Sequence, residues 1–575
     1  MVFEEAKDDS HSGTVNGVNH ATSSAVPVLA FETKREVLNE DFSDRIEVPE
    51  IQDHKFSFRK LWAFSGPGFL MSIAYLDPGN IEADLKNGIE GKYSLLWILL
   101  WATIAGLFIQ RLAARLGSVT GLDLAETCRK RFAPFPRYVL WIMLEITIIG
   151  ADMQEVIGTA IAFYLLSDRR IPLYGGVLLT IFDTFTFLFL DRYGLRKLEA
   201  FFAFLILMMA VTFGYEYGVV EADQVEVVKG LFVPGCAACT SRILLQAVGT
   251  VGAMITPHNL YLHSSLVKSR KIDRKCKEDV KDANRYYFIE SAIALFISLI
   301  INIFVVSVFA AGMSGKTNRE VMEKCRQADI NVTDIFKDNN DTVDGDIYRG
   351  GIYLGCQFGP ACMYIWAIGL LAAGQSSTMS GTYTGQFVME GFLHIKWVRW
   401  KRVLLTRTMA ILPTISMALY QDVNHVSGMN DFLNALMSMQ LPFALLTTYL
   451  FTSSRTVMGD FANGVKSKLF MGVVTTFLIG LNLYFVNDFV GSNFPQSVTV
   501  YFFFCIYLIF YVAVVTYLIL CLLVVLGAEE LTKIPYIGSY LVDDYKYSNE
   551  EEETALNKQK CFRQIYDSTQ HVTST

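Results

Sequence analysis

Charged residues are scarce in this sequence, and they form no basic surface of the kind that binds nucleic acid. Asp, Glu, Lys and Arg make up 18% of the 575 residues, whereas 52% are hydrophobic. That composition is too apolar for a soluble protein of this size, and the apolar residues are spread too evenly for a single membrane anchor. The Lys and Arg residues lie in short clusters between apolar segments. This pattern excludes a nucleic-acid partner and favours a chain that crosses a lipid bilayer many times.

The sequence also lacks the patterns that indicate an enzyme or a metal cluster. No nucleophile–base pair or phosphate-binding loop occurs, and the ten cysteines have no CxxC…CxxC spacing. We therefore expect neither catalytic residues nor a bound cofactor. Cys236, Cys239 and Cys325 lie in loops predicted below to be extracellular, so an external disulfide is a possible outcome. No cleavable signal peptide is visible, and the polar residues 1–55 are predicted to be a disordered cytosolic tail.

Apolar segments long enough to cross a membrane recur through the rest of the chain. They predict an all-α polytopic membrane protein with about twelve transmembrane helices between residues 56 and 527. Residues 313–349 form a long loop between two of these spans, and residues 528–575 form a second polar tail. The predicted spans are residues 60–87, 93–116, 138–166, 171–191, 198–217, 240–267, 286–312, 350–374, 403–420, 433–453, 468–488 and 499–527.

Basic residues predict the orientation of these spans. Their clusters follow spans two, four and six and precede spans nine and eleven, so all lie on one side of the membrane. The clusters are Arg129, Lys130, Arg131 and Arg137; Arg192, Arg196 and Lys197; Lys268, Arg270, Lys271, Arg274, Lys275 and Lys277; Lys396, Arg399, Lys401 and Arg402; and Arg455, Lys466 and Lys468. The positive-inside rule makes that side cytoplasmic and places both termini there, with Arg169 and Arg170 as an exception. The loop 313–349 is then extracellular, and its two N-x-Thr sequons make Asn331 and Asn340 candidate glycosylation sites.

Span one contains a sequence that an unbroken helix does not accommodate. At Asp77-Pro78-Gly79-Asn80 the proline removes a backbone donor and the glycine permits unusual φ angles. A carboxylate in the membrane costs about 2.5–3.5 kcal/mol, and unwound backbone persists there only where protein or water covers it. Span six repeats the pattern at Thr256-Pro257-His258-Asn259. Two broken helices at corresponding places in successive five-span units predict an inverted repeat with an ion site between them.

Three motifs resemble the Nramp family, and most closely its animal divalent metal transporters. They are Asp77-Pro78-Gly79-Asn80, the eight residues from Pro257 to Ser264, and the eight residues from Gly374 to Gly381. The resemblance runs from about Phe56 to about Leu526. It implies a LeuT-like fold and proton-coupled import of Fe²⁺ and Mn²⁺, with Cd²⁺, Co²⁺ and Zn²⁺ as further candidates. The last motif is expected at the cytoplasmic end of span eight.

The resemblance also implies a set of metal ligands. They are the Asp77 carboxylate, the Asn80 side-chain oxygen and the backbone carbonyl of Ala253. The family has a methionine thioether as a further ligand where this chain has Thr256, and Met254 lies on a different helix face. A thioether favours soft and borderline metals over Ca²⁺ and Mg²⁺, whereas a hydroxyl is a hard oxygen. We therefore expect this chain to admit transition metals but to reject Ca²⁺ or Mg²⁺ less well.

Structural roles remain open for several of these residues. Asp77 or Asn80 could act as a helix cap rather than as a ligand. Asn434 resembles a family position that closes over the metal, and Gln440 is a weaker candidate for that role. The alternative for Asn434 is an interhelical hydrogen bond.

A separate set of titratable groups is expected to carry protons. Asp152 and Glu155 are three residues apart and share a helix face. The resemblance suggests that they form a relay with Arg407 and the acid in the first break, although Asp152 and Arg407 could form a structural ion pair. His258 and His263 titrate near physiological pH, which suits proton coupling better than metal binding, and packing is the alternative.

Two rival functions share this architecture. A sodium-coupled amino acid transporter is disfavoured because Asp77 would repel the substrate carboxylate. A non-transporting metal sensor would carry a large cytosolic domain, and the tail at 528–575 is too short for one. The expected partners are therefore divalent metal ions, protons and the lipid bilayer. We expect a monomer in the plasma membrane or an endosomal membrane.

Overall fold

The computed structural model describes residues 46–49, 56–191, 195–235, 240–330, 332, 335–394, 399–420, 423–493 and 498–533. This part of the chain is almost entirely helical. Its α-helices are α1 (Phe58–Phe64), α2 (Pro67–Ser72), α3 (Pro78–Gly91), α4 (Leu96–Thr120), α5 (Leu124–Arg131), α6 (Pro134–Leu166), α7 (Leu173–Asp191), α8 (Leu195–Val220), α9 (Gln224–Phe232), α10 (Ser241–Met254), α11 (Pro257–Leu266), α12 (Lys277–Gly312), α13 (Asn318–Gln327), α14 (Ile347–Phe358), α15 (Pro360–Leu393), α16 (Arg399–Tyr420), α17 (Val423–Ser453), α18 (Arg455–Met458), α19 (Val465–Asn493) and α20 (Val498–Leu526).

Short elements complete the description. Four 3₁₀ turns cover Ile73–Tyr75, Val267–Ser269, Gly459–Phe461 and Glu529–Lys533. The strands β1 (Ile46–Glu47) and β2 (Arg270–Lys271) pair in parallel. The first strand lies within the predicted tail 1–55, most of which is outside the described residues, as is most of the predicted tail 528–575.

Seven of the described helices contain stretches long and apolar enough to cross a membrane. Their spanning segments are Leu96–Thr120, Pro134–Leu166, Arg196–Val220, Lys277–Gly312, Phe432–Ser453, Val465–Tyr484 and Phe504–Leu526. Helix α6 is central to the bundle, because it packs against α7, α15, α16 and α17. The predicted all-α polytopic fold is confirmed.

Both predicted helix breaks are present. The first span runs through α2 and the 3₁₀ turn, leaves helical geometry at Leu76 and Asp77, and resumes as α3. In the second, α10 ends at Met254 and α11 begins at Pro257, with Thr256 in an extended conformation between them. A proline occupies the first position of α3 and of α11, where its missing N–H is tolerated.

Span eight differs from its prediction. Residues 350–374 were expected to form one span, with the polar motif at Gln375–Gly381 at its end. Instead α14 ends at Phe358, and α15 begins at Pro360 and continues as one helix through that motif to Leu393. The prediction was wrong because buried hydroxyls in this region satisfy themselves locally. Thr382 Oγ1, for example, donates to the Thr378 carbonyl at 2.8 Å.

The predicted extracellular loop contains ordered structure. Helix α13 begins with a capping box between Thr317 and Glu320. A disulfide joins Cys325 on α13 to Cys356 on α14. Cys325 was expected to be available for such a bond, but its partner comes from the predicted span eight, while Cys236 and Cys239 lie outside the described residues.

Candidate metal-binding site

The two helix breaks lie side by side. The side chain of Asn302, on α12, reaches both of them: its Nδ2 donates to the Tyr75 carbonyl at 2.9 Å and lies 3.8 Å from Met254 Sδ. Helix α10 also packs along α3, where Thr250 Oγ1 donates to Asn87 Oδ1 at 2.9 Å. The two breaks are therefore linked through the Asn302 side chain and through the packing of α10 on α3.

Asp77 lies in the first break and is 4% exposed. It is the N-cap of α3, and its Oδ1 accepts a hydrogen bond from the Asn80 backbone N–H at 2.7 Å. A carboxylate at a helix N-terminus is stabilised by the helix dipole. The capping role that the sequence left open is therefore present. It holds the carboxylate in the break without using every lone pair that a carboxylate offers.

Asn80 presents an unsatisfied oxygen to the same region. Its Nδ2 donates to the Ala74 carbonyl at 3.0 Å. Its Oδ1 is buried, and no hydrogen-bond partner for it occurs among the described residues. A buried acceptor left unpaired costs about 1–3 kcal/mol, which coordination to a cation would offset.

The second break supplies a backbone oxygen. In an unbroken helix the Ala253 carbonyl would accept from the N–H of residue 257, but that residue is Pro257 and has no N–H. The carbonyl is also among the last four of α10, which have no partner within their own helix. Ala253 is 2% exposed, so this oxygen lies in the protein interior.

Thr256 and Met254 face different partners. Thr256 Oγ1 accepts a hydrogen bond from Asn259 Nδ2, and the Thr256 side chain is buried. Met254 Sδ faces the Asn302 amide instead. The two side chains therefore have different neighbours, and the roles expected for Thr256 and Met254 in metal binding stay predictions.

Asn434 makes the interhelical hydrogen bond considered as its alternative role. Its Oδ1 accepts from Gln154 Nε2 at 2.8 Å, and the same nitrogen lies 3.3 Å from the Asn430 carbonyl. Gln154 also packs against the first break, at Gly79. The space there is so tight that a Cβ atom added to Gly79 would lie only 2.6 Å from Gln154 Oε1. Gln154 was not among the site residues predicted from the sequence. The available signal was a third polar residue between Asp152 and Glu155 in one apolar span.

A second group of buried charges joins α6, α15 and α16. Arg407 Nη1 lies 3.8 Å from Asp152 Oδ1 and 3.6 Å from Glu155 Oε2. Ser377 Oγ donates to Glu155 Oε1 at 2.6 Å, and Arg407 Nη2 donates to Thr382 Oγ1 at 3.0 Å. Two carboxylates against one guanidinium leave one negative charge, which a proton would neutralise. The predicted grouping of Asp152, Glu155 and Arg407 is therefore present in space.

The two histidines of α11 do not join this group through any contact the structure gives. His263 Nδ1 lies 3.1 Å from Gln110 Oε1, on α4. His258 Nδ1 and His263 Nε2 are buried without a hydrogen-bond partner among the described residues. Among the described residues, no group of three His, Cys, Asp or Glu side chains could hold a metal ion. The candidate site is of a different kind, because it combines one carboxylate with amide and carbonyl oxygens.

Two broken helices that pack side by side, with a buried carboxylate at the first break, define a multi-pass membrane protein with a LeuT-like fold. Residues 68–488 match the family model described as "Natural resistance-associated macrophage protein-like", and the chain belongs to this family, Nramp.

Curated relatives and a solved structure agree with the family match. The chain is 58% identical over 479 residues to Natural resistance-associated macrophage protein 2 of Homo sapiens, covering 83% of this chain and 84% of that protein. It is 56% identical over 492 residues to Protein Malvolio of Drosophila melanogaster, covering 85% and 82%. The manganese transporter of Eremococcus coleocola, solved with an aromatic bis-isothiourea compound, superimposes with a TM-score of 0.70 at 28% identity, covering 88% and 98% of the two chains.

Proposed function

We propose that this protein is a proton-coupled symporter that imports divalent transition metals, chiefly Fe²⁺ and Mn²⁺, into the cytosol. The observation that carries the proposal is the arrangement at the two breaks. A buried Asp77 carboxylate lies beside an unpaired Asn80 oxygen, opposite a helix end whose Ala253 carbonyl has lost its helical donor. These oxygens suit a divalent cation. Membership of the Nramp family and the likeness to a manganese transporter support the same substrate class.

The metal ligands in this proposal are Asp77, Asn80, the Ala253 carbonyl and Thr256, with Asn434 closing over the ion. Asn434 would have to release Gln154 to do so, because its Oδ1 accepts from that side chain. One carboxylate among neutral oxygens gives a site that can both fill and empty. Thr256 supplies a hard oxygen in place of a thioether, so discrimination against Ca²⁺ and Mg²⁺ is weaker.

Protons take a route through Asp77, Asp152, Glu155 and Arg407, with His258 and His263 contributing on the α11 side. The support is the net negative charge of the buried Asp152–Glu155–Arg407 group, which favours uptake of a proton. The membrane potential adds about 2.3 kcal/mol per 100 mV for each positive charge that enters a negative cytosol.

The proposed setting is the plasma membrane or an endosomal membrane, with both termini cytoplasmic and the protein acting as a monomer. The loop 313–349 is then external. Asn340 is exposed in it and available for glycosylation, whereas the other candidate, Asn331, lies outside the described residues.

Uptake of radioactive Mn²⁺ and Fe²⁺ into proteoliposomes tests the proposal. Wild-type uptake should rise as the external pH is lowered from neutral to mildly acidic. Asp77→Asn should reduce it by at least about tenfold, because even supporting residues of metal sites contribute that much. Asp460→Asn, which alters an exposed acid, is the matched control. Metal uptake that does not change with pH would contradict the proposal, and so would metal uptake that is unchanged in Asp77→Asn. Uptake of amino acids instead of metal would favour the sodium-coupled amino acid transporter.

A further inference from the structure

Four polar side chains form one stripe along α3. Asp77, Asn80, Asp84 and Asn87 are spaced three, seven and ten residues from the first, which places them on a single helix face. All four are buried, with exposures of 4%, 1%, 0% and 1%. Asp77 and Asn80 belong to the site described above. Asp84 and Asn87 continue the same face for two further turns.

Asp84 is a buried acid that forms no ion pair with any described residue. Neither of its carboxylate oxygens has a hydrogen-bond partner in the part of the chain that the structure describes, and no Lys or Arg there pairs with it. The neighbouring acid on α3 differs, because Glu82 pairs with Lys86 at 3.1 Å and accepts from Asn430. A lone carboxylate in a protein interior is unfavourable unless a cation or a proton neutralises it.

Asn87 completes the polar surroundings of Asp84. Its Oδ1 accepts from Thr250 Oγ1 of α10 at 2.9 Å, and its Nδ2 has no partner among the described residues. The Asn80 Oδ1, one turn before Asp84, is also unpartnered. Among the described residues of this stripe, the oxygens without a hydrogen-bond donor are therefore those of Asn80 and Asp84, and Asn87 Oδ1 lies one turn further along α3 with a single donor. Carboxylate and amide oxygens are ligands that Mn²⁺ accepts readily.

We propose that Asp84, with Asn80 and Asn87, forms a second cation-binding station that receives a divalent metal ion before it reaches Asp77. This inference rests on the proposed function, in which α3 is the outer half of the first broken helix. Seven residues of helix separate the two carboxylates by about 10 Å along the axis. The stripe is closed in this structure, so entry requires α3 and α10 to part and the Thr250–Asn87 hydrogen bond to break.

Mn²⁺ binding to the purified full-length protein tests the station directly. Free Mn²⁺ is counted by electron paramagnetic resonance while Mn²⁺ alone is titrated. Asp77→Asn should retain weak Mn²⁺ binding, and adding Asp84→Asn should abolish it. In transport, Asp84→Asn alone should raise the KM for Mn²⁺ about tenfold, with the maximal rate within about twofold of wild type.

Glu216→Gln is the matched control. Glu216 is also a buried acid whose two oxygens have no hydrogen-bond partner among the described residues, but it lies on α8, away from the stripe. Added to Asp77→Asn, it should leave the residual Mn²⁺ binding unchanged. Asn87→Asp is a second variant, and it keeps Asp84 in place. Added to Asp77→Asn, its extra carboxylate should tighten the residual Mn²⁺ binding.

Each other outcome counts against the proposal. If residual Mn²⁺ binding survives Asp84→Asn and does not respond to Asn87→Asp, Asp84 is not a metal station. If Asp84→Asn changes only the pH dependence of uptake, the acid carries a proton instead. If Asp84→Asn fails to fold, the response to Asn87→Asp decides. A wild-type protein that takes up no Mn²⁺ would refute the proposed function itself, whatever these variants show.

Discussion

Two prolines create the oxygen-rich surface of the candidate site. Pro78 cannot donate to the Ala74 carbonyl and Pro257 cannot donate to the Ala253 carbonyl, because neither has an N–H. The Asn80 amide nitrogen replaces the missing donor at Ala74, and the Asn80 amide oxygen has no hydrogen-bond partner among the described residues. The Ala253 carbonyl has no such replacement within its helix. Each proline therefore leaves a backbone carbonyl oxygen without the hydrogen bond that a regular helix would give it.

At this scale Thr256→Met should sharpen metal selectivity. A thioether in place of the hydroxyl disfavours hard Ca²⁺ while it still accepts Mn²⁺ and Fe²⁺. Excess Ca²⁺ should therefore inhibit Mn²⁺ uptake less in the variant than in wild type, and competition assays at fixed Mn²⁺ measure the difference. Met254→Leu is the control, because its sulfur faces Asn302 and not Thr256. Equal inhibition of the wild type and Thr256→Met would show that the threonine does not relax selectivity.

At the scale of helices and their breaks, a feature could be predicted from the sequence when residues close together in the chain cause it. Both helix breaks were predicted because proline, glycine and a membrane carboxylate act within one turn. The continuation of α15 through Gln375–Gly381 was missed, since buried hydroxyls resemble a loop in sequence while they satisfy themselves inside a helix. Gln154 was missed because its role depends on packing against Gly79 and Asn434, which no spacing in the chain reveals.

A buried ion cluster ties α5 to the end of the second broken helix. Lys268 Nζ lies 2.8 Å from both Asp123 Oδ2 and Glu126 Oε2. Burial, followed by repulsion from Asp123, raises the pKa of the Glu126 carboxyl above its usual range. The folded protein therefore holds this proton more tightly than the unfolded chain does. Glu126 then favours the folded state at low pH, and that contribution falls as pH rises through the raised pKa.

Lys268→Met should therefore destabilise the protein more at neutral than at acidic pH. Removing one partner of a buried ion pair costs about 3–5 kcal/mol, because the other charge stays buried without compensation. Protonation of the Glu126 carboxylate at lower pH removes part of that cost. Melting temperatures of the detergent-solubilised protein at pH 5 and pH 7.5 measure both effects. Lys277→Met, which breaks an exposed pair with Asp460, should change neither value, and an equal fall in both variants would contradict the argument.

At the scale of the whole molecule, separate observations divide the loops into two groups. The N-terminal strand pairs with Arg270–Lys271, and Lys277 pairs with Asp460 at 2.7 Å, so the N-terminal segment and two basic connections, all predicted to be cytoplasmic, meet at one end. The loop 313–349 contains Cys325, which is disulfide-bonded to Cys356 of α14, and the exposed sequon at Asn340. Disulfides persist in oxidising compartments, and N-glycans are added on the side away from the cytosol. Both features therefore favour the outside for this loop.

The orientation yields a test in intact cells. Glycosidase treatment should increase the gel mobility of the wild type, and the shift should diminish in Asn340→Gln and disappear when Asn331→Gln is added. After mild reduction, a membrane-impermeant maleimide should label the wild type more strongly than a variant in which Cys325 and Cys356 are both serine, because Cys236 and Cys239 are present in both proteins. A tag at the N-terminus should become accessible to antibody only after permeabilisation, because the N-terminal strand lies with the basic loops. An externally accessible tag, or thiols labelled only in permeabilised cells, would reverse the orientation. The polar stripe on α3 would then lead from the cytosol to Asp77, and metal would move in the opposite direction to the one proposed.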